Sequence, residues 1–518
     1  LIMRRITISF LLLSSFFYAQ DSNRYTDSLF NINQSVTNGI YATAPEINSP
    51  YQGESLTHSA ELKFHLFTPV NDTLKNRPML ICIHGGGFVS GNKEHDDMME
   101  FSKIFAQRGY VTATIQYRLG MNLFSSVSAE RAVYRGLQDG RAAIRYFKEN
   151  SETYGIDTNN IYLIGSSAGA FIGLQNIFMN EESERPASSY LISHFPPTLE
   201  DGPDLGSLDA INSTLKYGSQ PNGVISLWGA IQDTTIIKDS DGDIPLLLIH
   251  GTADNIVPFD VGSPFSAASL PPTYGSKPIS ERLNTLSKNA ETYFVTGEGH
   301  EFYGVSNGNW NPAPNVYWDT VVTKSTNFLW NIHKPEAKFG YDYIETGDKI
   351  SFNDSSKGAV KWMWDFDDGT VSYEQNPIHQ FPQWRAYLVK LLVWNSIESW
   401  DTTSSTVYTF EVGVDDPQDL PINFELKQNF PNPFNPSTKI QYSIPAIITS
   451  LPVGVRGGFV TLKIYDILGQ EVATLINKNQ TAGRYEVEFN AEQLTSGVYI
   501  YQLVSGHFVS SKKLLIMK

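Results

Sequence analysis

Between about residues 40 and 333, short apolar runs alternate with stretches whose apolar positions recur every three or four residues. The runs at 79–83, 111–116, 161–164, 224–227, 246–250 and 292–295 have the length of strands buried on both faces. Met98, Phe101 and Phe105 fall at helical spacing, as do Ala142 and Tyr146 within 141–148. Strand and helix patterns in alternation predict an α/β unit, a doubly wound and mostly parallel sheet covered by helices. The stretch 181–222 breaks this rhythm. It is rich in Pro, Ser and Asp with weak periodicity, which predicts a cap or a substrate-facing insertion.

From about 336 to 414 the pattern changes to short alternating runs punctuated by turn residues, which predicts a small β-sandwich. A third block, 420–518, opens on Pro431-Asn432-Pro433-Phe434-Asn435-Pro436, too proline-dense for a helix. It continues with alternating stretches at 460–465, 485–489 and 498–503, and 454–458 reads as a loop. The expected architecture is therefore an α/β unit followed by two β-sandwich domains.

Composition changes this picture in three ways. At 518 residues the chain exceeds one ordinary domain. A net charge of −16 argues against nucleic acid or an anionic membrane as partner. Cys82 is the single cysteine, so no intramolecular disulfide can form, and its place inside 79–83 reads as a buried strand thiol. At the N-terminus, Arg4 and Arg5 precede an apolar stretch at 6–17. This predicts a signal peptide over residues 1–19, cut near Ala19-Gln20, with Met3 as the start. The stretch is short for a membrane span, and no second candidate follows, so the mature form is expected to hold no integral membrane segment.

Candidate chemistry centres on Gly165-Ser166-Ser167-Ala168-Gly169, set between the 161–164 run and an apolar helical stretch. A serine on a tight strand-to-helix bend is held in the open, where its hydroxyl can attack a carbonyl carbon. Acyl transfer also needs a base, an acid to orient it, and donors for the developing oxyanion. Each has a candidate after a predicted strand. His84-Gly85-Gly86-Gly87-Phe88 offers glycines that let backbone N–H groups turn toward a ligand oxygen. His250-Gly251-Thr252-Ala253-Asp254 offers an acid, with Asp260 as its nearest rival. Gly297-Glu298-Gly299-His300-Glu301-Phe302 offers a histidine in a glycine-flanked loop. His84 and His250 read as residues that shape strand ends. His95-Asp96-Asp97 reads as either a metal site or a solvated helix start. Phe88, Trp228 and Tyr303 adjoin these motifs and are candidates to line an acyl or alcohol pocket, or to pack in the core or its rim.

Four motifs in the order glycine loop, Ser, Asp, His resemble the α/β-hydrolase superfamily over residues 40–333. The likeness is greatest to carboxylesterases with an HGGG oxyanion motif, including hormone-sensitive-lipase-like and feruloyl- or acetyl-xylan-esterase-like groups. The resemblance implies Ser167 as nucleophile, His300 as base, Asp254 as its acid, and the N–H groups of Gly86, Gly87 and Ala168 as the oxyanion hole. It implies no cofactor and no metal. Ser166 departs from the family, which often has Asp, Glu or His there, and this leaves the subgroup open.

Trp364-Asp365-Phe366-Asp367-Asp368-Gly369 and Asn376-Pro377-Ile378-His379-Gln380-Phe381 resemble the paired signatures of a PKD domain over 336–414. This implies an Ig-like spacer or weak polysaccharide contact, with the aspartates as a strand-end turn or a calcium ligand set. Trp362, Trp364 and Trp384 read as core. Residues 420–518 resemble the type A sorting domain of the type IX secretion system. The residues that carry this are Asn429-Phe430-Pro431-Asn432-Pro433-Phe434-Asn435-Pro436, Ile464-Tyr465-Asp466-Ile467-Leu468-Gly469-Gln470, Ser496-Gly497-Val498-Tyr499 and Lys512-Lys513. The implied partners are the type IX machinery and a small-molecule or polymer-attached ester, such as an acetyl or feruloyl ester of plant polysaccharide, met after export or at the cell surface. Two other readings stay open: a serine peptidase of the prolyl-oligopeptidase type, and a catalytically inactive hydrolase-fold adhesion protein.

Overall fold

The computed structural model describes residues 24–344, 347–409, 424–444, 459–480, 483–505 and 508–518. The predicted signal peptide at 1–19 and the predicted loop at 454–458 lie outside them. The chain divides into two units, residues 1–335 with 394–400, and residues 336–393 with 401–518.

The first unit is built on one eight-stranded sheet. Its strands are β1 (Ile32–Ile47), β2 (Thr57–Pro69), β3 (Arg77–Ile83), β4 (Val111–Ile115), β5 (Ile156–Ser166), β6 (Gly223–Leu227), β7 (Leu246–Gly251) and, after the two-residue pair β8 (Val261–Gly262) and β9 (Thr273–Tyr274), β10 (Glu291–Val295). The spatial order is β1-β2-β4-β3-β5-β6-β7-β10. β2 pairs antiparallel with both β1 and β4, and β4, β3, β5, β6, β7 and β10 run parallel. Every predicted strand is present. Each is buried on both faces except β10 at the edge, which is why their sequences read as unbroken apolar runs.

Alternate strand residues feed two cores. Met79, Ile81, Ile83 and Leu163 pack under α2 (Ser126–Glu149) and α4 (Ala168–Phe178). Leu80, Cys82, Ile164 and Leu227 pack under α1 (Asp96–Gln107) and α6 (Val316–His333). Between them in the chain lie the four-residue α3 (Ser151–Tyr154) and α5 (Ser276–Thr285). Met98, Phe101 and Phe105 supply the buried stripe of α1. The Cys82 thiol accepts a hydrogen bond from Ser102 Oγ at 3.2 Å, and burial pushes it up to about 12.

The 181–222 stretch packs on α2 through many polar contacts around a small apolar cluster of Tyr134, Leu137, Leu205 and Leu208. Arg131 donates to the carbonyls of Ser188 and Pro203, Gln138 to those of Leu205 and Ser207, and Arg141 pairs with Asp209. Backbone acceptors have no sequence period, which accounts for the weak pattern of this segment.

In the second unit, β13 (Phe339–Tyr343), β14 (Lys349–Asp354) and β17 (Ile378–Gln380) form one sheet. They follow the two-residue strands β11 (Val305–Ser306) and β12 (Asn309–Trp310) of the first unit. β15 (Lys361–Asp365), β16 (Val371–Ser372), β18 (Ala386–Trp394) and β19 (Trp400–Tyr408) form another. Trp364, Phe352 and Leu391 fill the core, whereas Trp384 is 48% exposed, so it is not the core residue expected. Asp365 and Asp368 accept from the backbone N–H of Asp367 and Thr370, the turn-capping use of this cluster. The described residues beyond 424 repeat the two-sheet plan. β20 (Glu425–Leu426), β21 (Ser437–Ile444) and β24 (Gly483–Asn490) form one sheet, and β22 (Phe459–Tyr465), β23 (Glu471–Asn479), β25 (Gly497–Ser505) and β26 (Phe508–Ile516) the other.

Candidate active site

The parallel sheet brings four loops to one rim, the carboxyl end of its strands, where open α/β sheets bind ligands. β3 and β5 are neighbours with Ile83 opposite Gly165, so the glycine loop and the serine bend emerge side by side. β7 and β10 are neighbours with Gly251 opposite Val295, so the acid and histidine loops do the same.

Ser167 is the single residue between β5 and α4, and its backbone sits at φ 51°, ψ −114°. Few non-glycine residues adopt such a conformation, and it persists only where surroundings over-determine it. Here the Ser167 N–H donates to Leu227 O at 3.0 Å, and its carbonyl accepts from Ala170 at 2.8 Å and Phe171 at 3.1 Å. The flanking glycines are needed for space. A Cβ on Gly165 would lie 2.2 Å from the Gly169 carbonyl oxygen, and one on Gly169 would lie 2.2 Å from that of Ile83. Strand, helix and neighbouring strand meet so closely that no side chain fits.

His300 lies on the loop after β10. Its Nε2 is 3.1 Å from Ser167 Oγ, and its Nδ1 is 2.7 Å from Asp254 Oδ2. The two loops are laced together: Ala253 N–H donates to Glu298 O at 2.9 Å and Thr252 N–H to Val295 O at 3.0 Å. Asp254 is fully buried. Its Oδ1 accepts from the N–H groups of Ile256 at 2.8 Å and Val257 at 3.0 Å. Burial alone would raise this carboxyl, but hydrogen bonds from His250 and His300 overcome it and hold the group well below the usual carboxylate range. An ionised Asp254 can only accept, so His300 keeps its proton on Nδ1 and turns the Nε2 lone pair to the serine. The rival acid, Asp260, is exposed and pairs with Lys277.

His84 and His250 do hold strand ends. His84 donates from Nδ1 to Gly85 O at 2.7 Å and stacks on Tyr117. His250 bridges Ser276 Oγ and Val257 O. In the glycine loop, Gly86 (φ 113°) and Gly87 (φ 60°) are both in the left-handed range. The Gly86 carbonyl accepts from Val89 and Ser90, which closes the turn. Among the described residues, the N–H groups of Gly86, Gly87 and Ala168 have no backbone acceptor.

A mostly apolar cavity of about 50 Å³ opens beside Ser167, walled by Gly87, Phe88, Phe171, Val133 and Phe265, with Glu130 as its charged member. Of the three predicted pocket residues, Phe88 lines it, whereas Trp228 and Tyr303 do not. Both are fully buried, because Trp228 donates from Nε1 to Ser166 Oγ at 3.1 Å and Tyr303 packs on the Trp228 ring at 4.8 Å. The 181–222 stretch contributes no wall to this cavity. Phe265 was missed from sequence. Its one signal is an aromatic beside Pro264 in a polar loop soon after the acid. Nor is Asp97 a solvated helix residue: it is fully buried and accepts a hydrogen bond from Tyr303 Oη at 2.8 Å.

Comparison with known proteins places three families along the chain in the expected order. Residues 64–268 match BD-FAE, residues 332–410 match the PKD domain, and residues 428–517 match the secretion system C-terminal sorting domain. The chain is similar to Gut esterase 1 of Caenorhabditis elegans, 42% identical over 94 residues, which is 18% of this chain and 17% of that protein. It is similar to Para-nitrobenzyl esterase of Bacillus subtilis (strain 168), 34% identical over 111 residues, 21% of this chain and 22% of that protein. The chain thus spans about a fifth of the length of these relatives. Esterase 2 of Thermogutta terrifontis, phosphoramylated by tabun, aligns at 17% identity with a TM-score of 0.38, over 57% of this chain and 94% of that one.

Proposed function

We propose that this chain is an exported serine carboxylesterase whose residues Ser167, His300 and Asp254 act as a catalytic triad. The observation that carries the reading is the unbroken relay from Asp254 Oδ2 to His300 Nδ1 at 2.7 Å and from His300 Nε2 to Ser167 Oγ at 3.1 Å. His300 takes the serine proton as the hydroxyl attacks the ester carbonyl, and Asp254 stabilises the resulting imidazolium. The N–H groups of Gly86, Gly87 and Ala168 take up the oxyanion, each contributing on the order of 10²–10³ in rate. The alcohol leaves with the proton from His300, water deprotonated by the same imidazole attacks the acyl-serine, and His300 returns that proton to Ser167 Oγ as the acid departs.

The mostly apolar cavity beside the serine is the place for the acyl group. The substrate is a small or polymer-attached ester, such as an acetyl or feruloyl ester. The sorting-domain match at 428–517 supports export through the type IX machinery, with the substrate met outside the cell. The test compares p-nitrophenyl acetate with dipeptide anilides on the full chain. Hydrolysis of the acetate alone, lost in Ser167→Ala with thermal unfolding unchanged, supports the reading. Preference for the anilide, or near-parental activity in Ser167→Ala, overturns it.

A further inference from the structure

We infer that Asp97 and Tyr303 are positioning residues for His300, holding its loop from behind through a buried hydrogen bond between the N-terminus of α1 and the segment 300–310. The inference rests on the triad reading above. Tyr303 lies three residues beyond His300, and its hydroxyl donates to Asp97 Oδ2 at 2.8 Å with both side chains fully buried. The same helix end grips the segment at two further points. Asp97 N–H donates to Gly308 O at 3.2 Å, and Asp96 Oδ2 accepts from Trp310 N–H at 3.1 Å. Gly308 is pressed onto the His95 ring so closely that a Cβ there would lie 2.1 Å from His95 Nδ1. Glu301, next to the histidine, closes the segment on itself by accepting from the N–H groups of Asn307 and Gly308.

From this anchor the constraint runs to the triad through packed rings. The ring centroids of Tyr303 and Trp228 are 4.8 Å apart, and those of Trp228 and the His300 imidazole are 5.8 Å apart in an edge-on arrangement. Trp228 is itself fixed by its Nε1–H bond to Ser166 Oγ, the residue before the nucleophile. Imidazole and serine are thus referred to one indole, and that indole is backed by a phenol whose hydroxyl is held by Asp97. Neither Asp97 nor Tyr303 lines the cavity, so neither touches substrate. A buried carboxyl at the start of a surface helix is costly to keep for packing alone.

The test uses the full chain and p-nitrophenyl acetate. Tyr303→Phe keeps the ring on Trp228 and deletes the hydroxyl. It is expected to lower kcat about ten- to hundredfold, the scale set by a misplacement of about 1 Å, with KM changed less than about twofold. Labelling of Ser167 by a fluorophosphonate should slow by the same factor. Asp97→Ala should match Tyr303→Phe, and the double variant should be no worse than either single one. Asp97→Asn, whose amide oxygen still accepts from Tyr303, should restore most of kcat. An active parent with unchanged kcat in Tyr303→Phe overturns this inference and leaves the triad reading intact. Loss in Tyr303→Phe with no better activity in Asp97→Asn than in Asp97→Ala also overturns it. An inert, unlabelled parent overturns the triad reading and the inference with it.

Discussion

Replacing Asp254 by asparagine should disable the base by forcing the wrong imidazole tautomer. The N–H groups of Ile256 and Val257 point at the Oδ1 position from 2.8 and 3.0 Å. Two N–H donors at that position outweigh the single His250 Nε2 donor 3.3 Å from Oδ2, so the asparagine oxygen takes the Oδ1 place and its NH₂ turns to His300 Nδ1, 2.7 Å away. His300 must then accept at Nδ1 and carry its proton on Nε2, which faces Ser167 Oγ at 3.1 Å. A donor stands where the lone pair should be, and the negative charge that stabilises the imidazolium is gone. The wrong tautomer in a serine triad costs about 10⁴ in kcat, or about 5.4 kcal/mol at 1.36 kcal/mol per factor of ten. The assay is initial-rate hydrolysis of p-nitrophenyl acetate, corrected with the Ser167→Ala variant, alongside circular dichroism to show the fold intact. Retention of more than about a tenth of parental activity would refute the tautomer argument.

Gly169→Ala should abolish soluble, active protein, since its Cβ would lie 2.2 Å from the Ile83 carbonyl oxygen. Near-parental expression and activity would show that the bend can relax. Phe265→Ala should widen the cavity, because the ring walls it beside Gly87, where a Cβ would lie 3.0 Å from Phe265 Cζ. The ratio of octanoyl to acetyl hydrolysis should rise about tenfold, the scale of a few methylenes, and an unchanged ratio would put the acyl group elsewhere. Burial raises the Asp97 carboxyl from 3.8 to about 7, with the charges of Glu301 and Asp96 adding and the Tyr303 hydrogen bond opposing. The folded value exceeds the unfolded one, so the contribution to stability is full below about pH 4 and is lost as pH rises through about 7. Asp97→Asn should therefore gain in Tm relative to the parent between about pH 4 and 8, followed in the thermal transition that ends activity. A constant offset across that range would contradict the raised value.

What could be read ahead of the structure follows from where burial leaves a mark. β3, β5 and β7 are buried on both faces, and continuous burial writes a continuous apolar run. β1 leaves no such mark, because half of its residues are exposed and register shifts at Gln34, Val36 and Ile40 destroy the period of two. The triad candidates were legible because tight turns at strand ends demand glycines beside the reactive side chain. The partner of Asp97 was not, since Tyr303 lies 206 residues away and no local pattern joins them. Trp228 and Tyr303 adjoin the motifs in sequence, yet the chain turns them inward, behind the triad and away from the cavity. Adjacency along the chain carried no information about which side of the rim a ring would occupy.

The most direct measurement is peptide-level mass spectrometry of the full chain after fluorophosphonate treatment, run beside His300→Ala. A single adduct on Ser167 that forms readily in the parent and is all but lost in the variant is the predicted result. An adduct on another serine, or labelling of Ser167 that proceeds equally well without the imidazole, would contradict the account.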